Sequence, residues 1–83
     1  MRESRTLLIV SGGTEAADAA KRAREMGLHV VVSDIDPNAP GFQFAHDRLI
    51  ADVYGPEATA AAAERYHREQ RPFSGVICVA AVA

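Results

Sequence analysis

One cysteine, Cys78, is present, so no intrachain disulfide can form and a reducing, cytoplasmic compartment is expected. Long apolar runs are missing as well. The run Leu7-Leu8-Ile9-Val10 follows a basic start, Met1-Arg2-Glu3-Ser4-Arg5, but is too short for a signal-peptide core or a membrane span. Neither sign of charge is in large excess. The net charge of −2, with arginines interleaved among acids, gives no electrostatic case for nucleic acid or for an anionic membrane. There is no internal repeat, and the alanines at 60–63 read as helix rather than low-complexity linker. Metal-ligand spacing is absent. His29, His46 and His67 fall on different elements, and adjacent His46 and Asp47 are poor candidates for one ligand sphere. Solvated or capping roles are expected for all three histidines. No serine-histidine-acid or cysteine-histidine arrangement can be argued from spacing.

What is present is a small globular chain. Its 83 residues make one domain, 48% hydrophobic and 24% charged, too apolar and too weakly charged for disorder. A chain this short buries roughly 60–65% of its unfolded surface, so marginal stability is expected.

The apolar run Thr6 to Val10, bounded by Ser11-Gly12-Gly13, reads as a strand buried on both faces of a parallel sheet. Thr14 is placed to cap a helix, with Glu15 and Asp18 in its first turns. Ala16, Ala19, Ala20, Ala23 and Met26 recur at helical spacing, and Gly27 is placed to end the helix in a left-handed conformation. Leu28 to Val32 is a second strand, rich in β-branched residues, ending in Ser33-Asp34-Ile35-Asp36. Pro37 to Gly41 is loop, Phe42 to Ala45 one helical turn, and Arg48 to Ala51 a weak third strand. A second helix follows Pro56, with Ala58, Ala62 and Tyr66 on its apolar stripe, Ala61 beside them, and a Glu64–Arg68 pair. Gly75 to Ala80 is a fourth buried strand, in which Cys78 acts as a small hydrophobe.

Strands alternating with helices predict an α/β fold: a small open parallel sheet of about four strands with flanking helices, Rossmann-like, in the order 3-2-1-4 with right-handed crossovers. Ligands of such sheets bind beyond the C-terminal ends of the strands, near the point where strand order reverses. Three segments end there: Ser11 to Glu15, Ser33 to Asp36, and Ala80 to Ala83.

Ser11-Gly12-Gly13-Thr14-Glu15 is a glycine loop entering a helix, where free backbone N–H groups suit a phosphate or carboxylate. A tight turn alone would also explain the glycines. The dinucleotide fingerprint fits in part: serine replaces its first glycine, and Asp34 lies roughly 20 residues on, where a ribose-binding acid belongs. Glu15 beside the loop would repel a pyrophosphate. Asp34 and Asp36 would point the same way in an extended segment and could recognise a ligand hydroxyl or amine. Turn chemistry is the stronger reading for Asp36, which precedes Pro37-Asn38.

The whole chain resembles the N-terminal domain that precedes the ATP-grasp module in carboxylate–amine ligases such as carbamoyl-phosphate synthase, biotin carboxylase and the purine-pathway ATP-grasp enzymes. Leu7 to Glu15, Met26 to Asp34, Asp36-Pro37-Asn38-Ala39-Pro40-Gly41, Ala45-His46-Asp47 and Gly75 to Ala80 carry the resemblance. It implies a non-catalytic domain that helps to bind a small-molecule acceptor or packs against the ATP-grasp module. Gly12, Gly13, Thr14 and Glu15 would face the substrate cleft, with Asp34 at its rim. ATP and magnesium would be held by the rest of the polypeptide, whose lysines, flap and magnesium carboxylates have no counterpart here. The apolar Ala80-Ala81-Val82-Ala83 departs from the polar strand end usual in that family, and residues 1–83 are read as a fragment, inactive alone. A nucleotide- or NAD(P)-binding module and a structural or interaction domain are the alternatives; the expected partners are the rest of the polypeptide and a small-molecule acceptor, with a homo-oligomer left open.

Overall fold

The computed structural model describes residues 5–10, 14–51 and 56–78. Four strands, β1 (Thr6–Val10), β2 (His29–Asp34), β3 (Asp47–Ile50) and β4 (Gly75–Cys78), form one sheet in the order β3-β2-β1-β4. All three pairings are parallel: Leu8 lies opposite Val31 and Val76, and Val32 opposite Arg48. Helix α1 (Thr14–Glu25) links β1 to β2, and α2 (Pro56–Glu69) links β3 to β4. A 3-10 turn over Pro40–Phe44 precedes β3. The expected α/β architecture and strand order are therefore those of the molecule.

Alternation along each strand sorts the core into two layers. On one face Ile9, Val30 and Val32 pack against Ala16, Ala20 and Ala23 of α1, and against Ala39 and Phe42 of the 3-10 turn. On the other, Leu8 and Val31 meet Tyr66 of α2, flanked by Val10, Leu49, Ala63 and Phe73. Burial on both faces explains why β1 and β2 are continuous apolar runs rather than alternating ones.

The α1 side chains that meet the sheet are short, so the helix backbone can approach closely. Glu15 in the first turn and Arg22 and Arg24 in the last complement the helix dipole. Gly27, at φ +82°, ends the helix. Its N–H donates to the Arg24 carbonyl at 2.9 Å, and that of Leu28 donates to Ala23 at 3.0 Å. This double closure is the Schellman motif, and Leu28 adds the apolar contact that accompanies it.

Three sequence expectations need correction. Met26 is 69% exposed, because the chain leaves the helix at Glu25 and turns at Gly27; Ala17 is buried in its place. The buried stripe of α2 is rotated: Tyr66 is buried, Thr59, Ala62 and Ala63 are half-buried, and Ala58 and Ala61 face solvent. Four consecutive alanines carry no information about which way such a helix rolls. Cys78 is exposed rather than buried, because β4 is an edge strand; Val76 beside it is 58% exposed. The Glu64–Arg68 pair forms at 3.6 Å, accompanied by Arg65–Glu69.

Candidate functional site

In this strand order the chain adds β2 and β3 on one side of β1 and β4 on the other. The switch point thus falls between β1 and β4, at the C-terminal end of β1. Ser11, Gly12 and Gly13 follow directly but lie outside the described residues. Thr14 and Glu15 are exposed at the start of α1. Thr14 is the first helical residue, one position later than a cap.

Asp34 ends the neighbouring strand, where Val10 stands opposite Ser33, so the β1 and β2 exits share one edge. Asp34 is half-buried and its Oδ1 accepts the N–H of Asp36 at 2.9 Å. Asp36 Oδ1 in turn accepts the N–H of Asn38 at 2.9 Å, and its carbonyl accepts that of Ala39 at 3.0 Å. Two successive Asx turns result. The backbone is no longer extended after Asp34, so the two acids are not held side by side as strand geometry would require. Asp36 does turn work, as its neighbours implied.

Ser33 is 1% exposed, and its Oγ has no hydrogen-bond partner. Beside the switch point an apolar groove of about 460 Å³ runs between α2 and the β1–β4 pair. Leu8, Val10, Ala63, Phe73 and Val76 line much of it, so it suits hydrocarbon rather than an anion.

A polar cluster that sequence reasoning missed occupies the opposite, N-terminal edge. Tyr66 donates its hydroxyl to Asp47 Oδ2. His29 Nε2 lies 3.3 Å from that same oxygen and 3.3 Å from the Tyr66 hydroxyl. Arg71 reaches His29 Nδ1 at 3.2 Å and donates to Thr6 Oγ1 at 3.1 Å. The rings of His29 and His46 stack at 4.6 Å. Hydrogen bonding from Tyr66 holds the Asp47 carboxyl below the ordinary carboxylate range, against a smaller opposing effect of burial. Burial, then the Asp47 bond, pushes the Tyr66 hydroxyl well up. His29 is thus not a solvated residue, whereas His46 and His67 do act as backbone acceptors. Strand parity could have given the signal: Thr6, His29 and Asp47 fall on the same face as Leu8, Val31 and Leu49, the face that α2 covers. Among the described residues no group of three or more His, Cys, Asp or Glu is placed to hold a metal, and no helix is long and apolar enough to cross a membrane.

No family model matches the chain, and no curated protein does. Solved structures do. N5-carboxyaminoimidazole ribonucleotide synthetase from Thermotoga maritima matches 72% of this chain at 25% identity and a TM-score of 0.65. An ADP complex of N5-carboxyaminoimidazole ribonucleotide synthetase matches 94% of it at 26% identity and a TM-score of 0.72. The Staphylococcus aureus synthetase with ADP matches 94% at 22% identity and a TM-score of 0.73, a likeness of fold alone. The chain spans only 17% to 19% of the length of these proteins. The synthetase is an ATP-grasp ligase, and a match of this extent is what one domain of such an enzyme gives. By fold and by its share of the larger chains, this protein is similar to the N-terminal, pre-ATP-grasp domain of an ATP-grasp ligase.

Proposed function

We propose that residues 1–83 form the N-terminal, substrate-cleft domain of an ATP-dependent ligase that joins a carboxylate to an amine or thiol through an acyl-phosphate. The domain is itself non-catalytic. The observation that carries this reading is the match over 94% of the chain to an ADP complex of N5-carboxyaminoimidazole ribonucleotide synthetase. On this reading Ser11, Gly12, Gly13, Thr14 and Glu15 would face a small-molecule acceptor from the switch point, with Asp34 at the rim of the cleft. Asp36 contributes by shaping the loop after β2 rather than by touching ligand. A helix N-terminus with free N–H groups suits an anionic part of the acceptor, and Glu15 suits a hydroxyl or amine. ATP and magnesium belong to the rest of the polypeptide. The apolar groove beside β4 is a surface on which that remainder can pack.

The test is steady-state kinetics of the complete polypeptide. Asp34→Asn and Glu15→Gln are expected to raise KM for the acceptor at least fivefold with KM for ATP unchanged. Equal effects on both substrates, or none, would sink the reading. A dinucleotide module is the competitor. Saturable binding of NAD(H) or NADP(H) to residues 1–83 would favour it, although Asp34 Oδ1 is already engaged by the Asp36 N–H.

A further inference from the structure

At the entry to β3 a side chain stands in for backbone. Val30 N–H donates to His46 Nδ1 at 2.9 Å, while His46 N–H donates to the Val30 carbonyl at 2.8 Å. Val30 is fully buried, whereas much of His46 is exposed. An imidazole nitrogen that accepts a hydrogen bond carries no proton, so the ring is the neutral tautomer protonated on Nε2. The same ring is thus a structural acceptor and within reach of protons from solvent. The segment it fastens runs from the 3-10 turn, where Phe42 covers the α1 layer of the core, to Asp47, which Tyr66 holds independently.

We propose that His46 is an acid-labile latch: with its ring neutral it closes the 3-10 turn and the entry of β3 onto β2, and a proton at Nδ1 releases them. A proton there turns the acceptor into a donor facing the Val30 donor, and the two cannot bond. Val30 N–H is then buried without an acceptor unless the segment lifts to admit water, and an unpaired buried N–H is costly. Charged and titratable groups reach the ring from every element packed around it. Arg24 of α1, tied to the Phe44 carbonyl at 3.4 Å, and Arg71 beyond α2 both oppose a positive charge on it. His29 of β2, stacked 4.6 Å away, opposes it too. Asp47 of β3 alone favours it, and that carboxylate is already shared by His29 and by Tyr66 of α2. Partial burial of the ring, then His29 and Arg24, hold His46 below the ordinary histidine range. The sign follows. A pKa depressed on folding leaves the latch whole above about pH 6.5, the unfolded value, and erodes it as pH falls below.

Amide exchange of the 83-residue chain between pH 7.5 and 5, read against the free-amide rate at each pH, tests the latch. Protection of the Val30 amide is expected to fall between about threefold and thirtyfold over that interval. The upper figure is the factor by which a free imidazole of pKa about 6.5 gains from protonation at pH 5. The fall should follow the His46 ring signal, while the Leu8 and Ile9 amides of β1 keep their protection. His46→Asn places an amide oxygen where Nδ1 stands, without a titrating ring, and should flatten the Val30 profile. The variant keeps His29 and His67, so any acid sensitivity owed to those rings survives in it and the difference belongs to His46. Parallel Val30 profiles for variant and parent would overturn the proposal. Should the variant fail to fold, the parent decides alone. A His46 ring that stays neutral to pH 5, a Val30 amide that stays protected through the His46 titration, or an equal loss at Leu8 and Ile9 would each overturn it.

Discussion

His46 grips Val30 twice: its backbone N–H donates to the Val30 carbonyl at 2.8 Å, and its ring Nδ1 accepts the Val30 N–H at 2.9 Å. A side chain thereby takes the place of the next backbone rung and extends the β2–β3 ladder past the start of β3. Without it the Val30 N–H, on a strand buried on both faces, would go unpaired at the sheet's edge. Unpaired buried backbone groups are costly, so the position tolerates few replacements.

Ser33→Ala is expected to stabilise the chain by about 1 kcal/mol. Its hydroxyl is buried without a partner, and an unsatisfied buried polar group costs roughly 1–3 kcal/mol. The urea midpoint should rise with an unchanged m-value. A lower midpoint would mean that the hydroxyl is bonded.

Tyr66→Phe removes the donor to Asp47 and should cost about 1.5–3 kcal/mol, the range for a hydrogen bond to a charged group. Two pH signatures should change with it. The Tyr66 pKa is raised on folding, so its contribution is complete below about pH 10 and is lost as pH climbs beyond. The Asp47 pKa is lowered, so its contribution is complete above about pH 4 and is lost under stronger acid. Unfolding curves of the variant should show a shallower decline at both extremes; identical profiles would refute the coupling.

Arg71→Lys should fail to restore what Arg71→Met destroys. The guanidinium reaches Thr6 Oγ1 and His29 Nδ1 from two different nitrogens, which a single ammonium cannot span. Each substitution is expected to lower stability by about 1–2 kcal/mol, from the hydroxyl and the ring left short of a donor. Full stability in the lysine variant, measured by thermal unfolding, would show that charge alone suffices.

Gly27→Ala should cost about 1–2 kcal/mol through backbone strain alone, the penalty for an L-residue in the left-handed region. A Cβ there would meet no atom within 4 Å, so no packing clash adds to it. Gly27→Asn should recover part of the loss, since asparagine tolerates that conformation. Equal melting temperatures for alanine and asparagine would argue against the mechanism.

Much of the fold was legible because it rests on local patterns. The runs at Leu7 and Val30 need only β-branched and aliphatic residues between turn-formers, and Gly27 needs only its place after a helix. The strand order follows from two βαβ crossovers, the second of which carries the chain from β3 past β2 and β1 to β4. Other features depend on where elements meet, which periodicity does not encode. The roll of α2 was hidden by Ala60 to Ala63, which are equivalent on every face. The exposure of Cys78 depends on what lies beyond an edge strand. The contact of His29 with Asp47 and Tyr66 requires the register between β2 and β3 and the path of a helix. In the candidate site, the turn role of Asp36 was readable from Pro37 and Asn38, whereas the engagement of Asp34 by the Asp36 N–H was not.

The central position of β1 has a consequence for biosynthesis. Leu7 pairs with Val30 on one side and with Gly75 on the other, and Gly75 lies 45 positions later in the chain than Val30. At roughly 5–20 residues per second of synthesis, the β4 side of β1 waits some 2–9 s for its partner. Over that interval a nascent chain presents an aliphatic strand with one open edge, a surface that holdase chaperones recognise and that neighbouring nascent chains could join. The strand that organises the finished sheet is also the one most in need of protection while the sheet is being made.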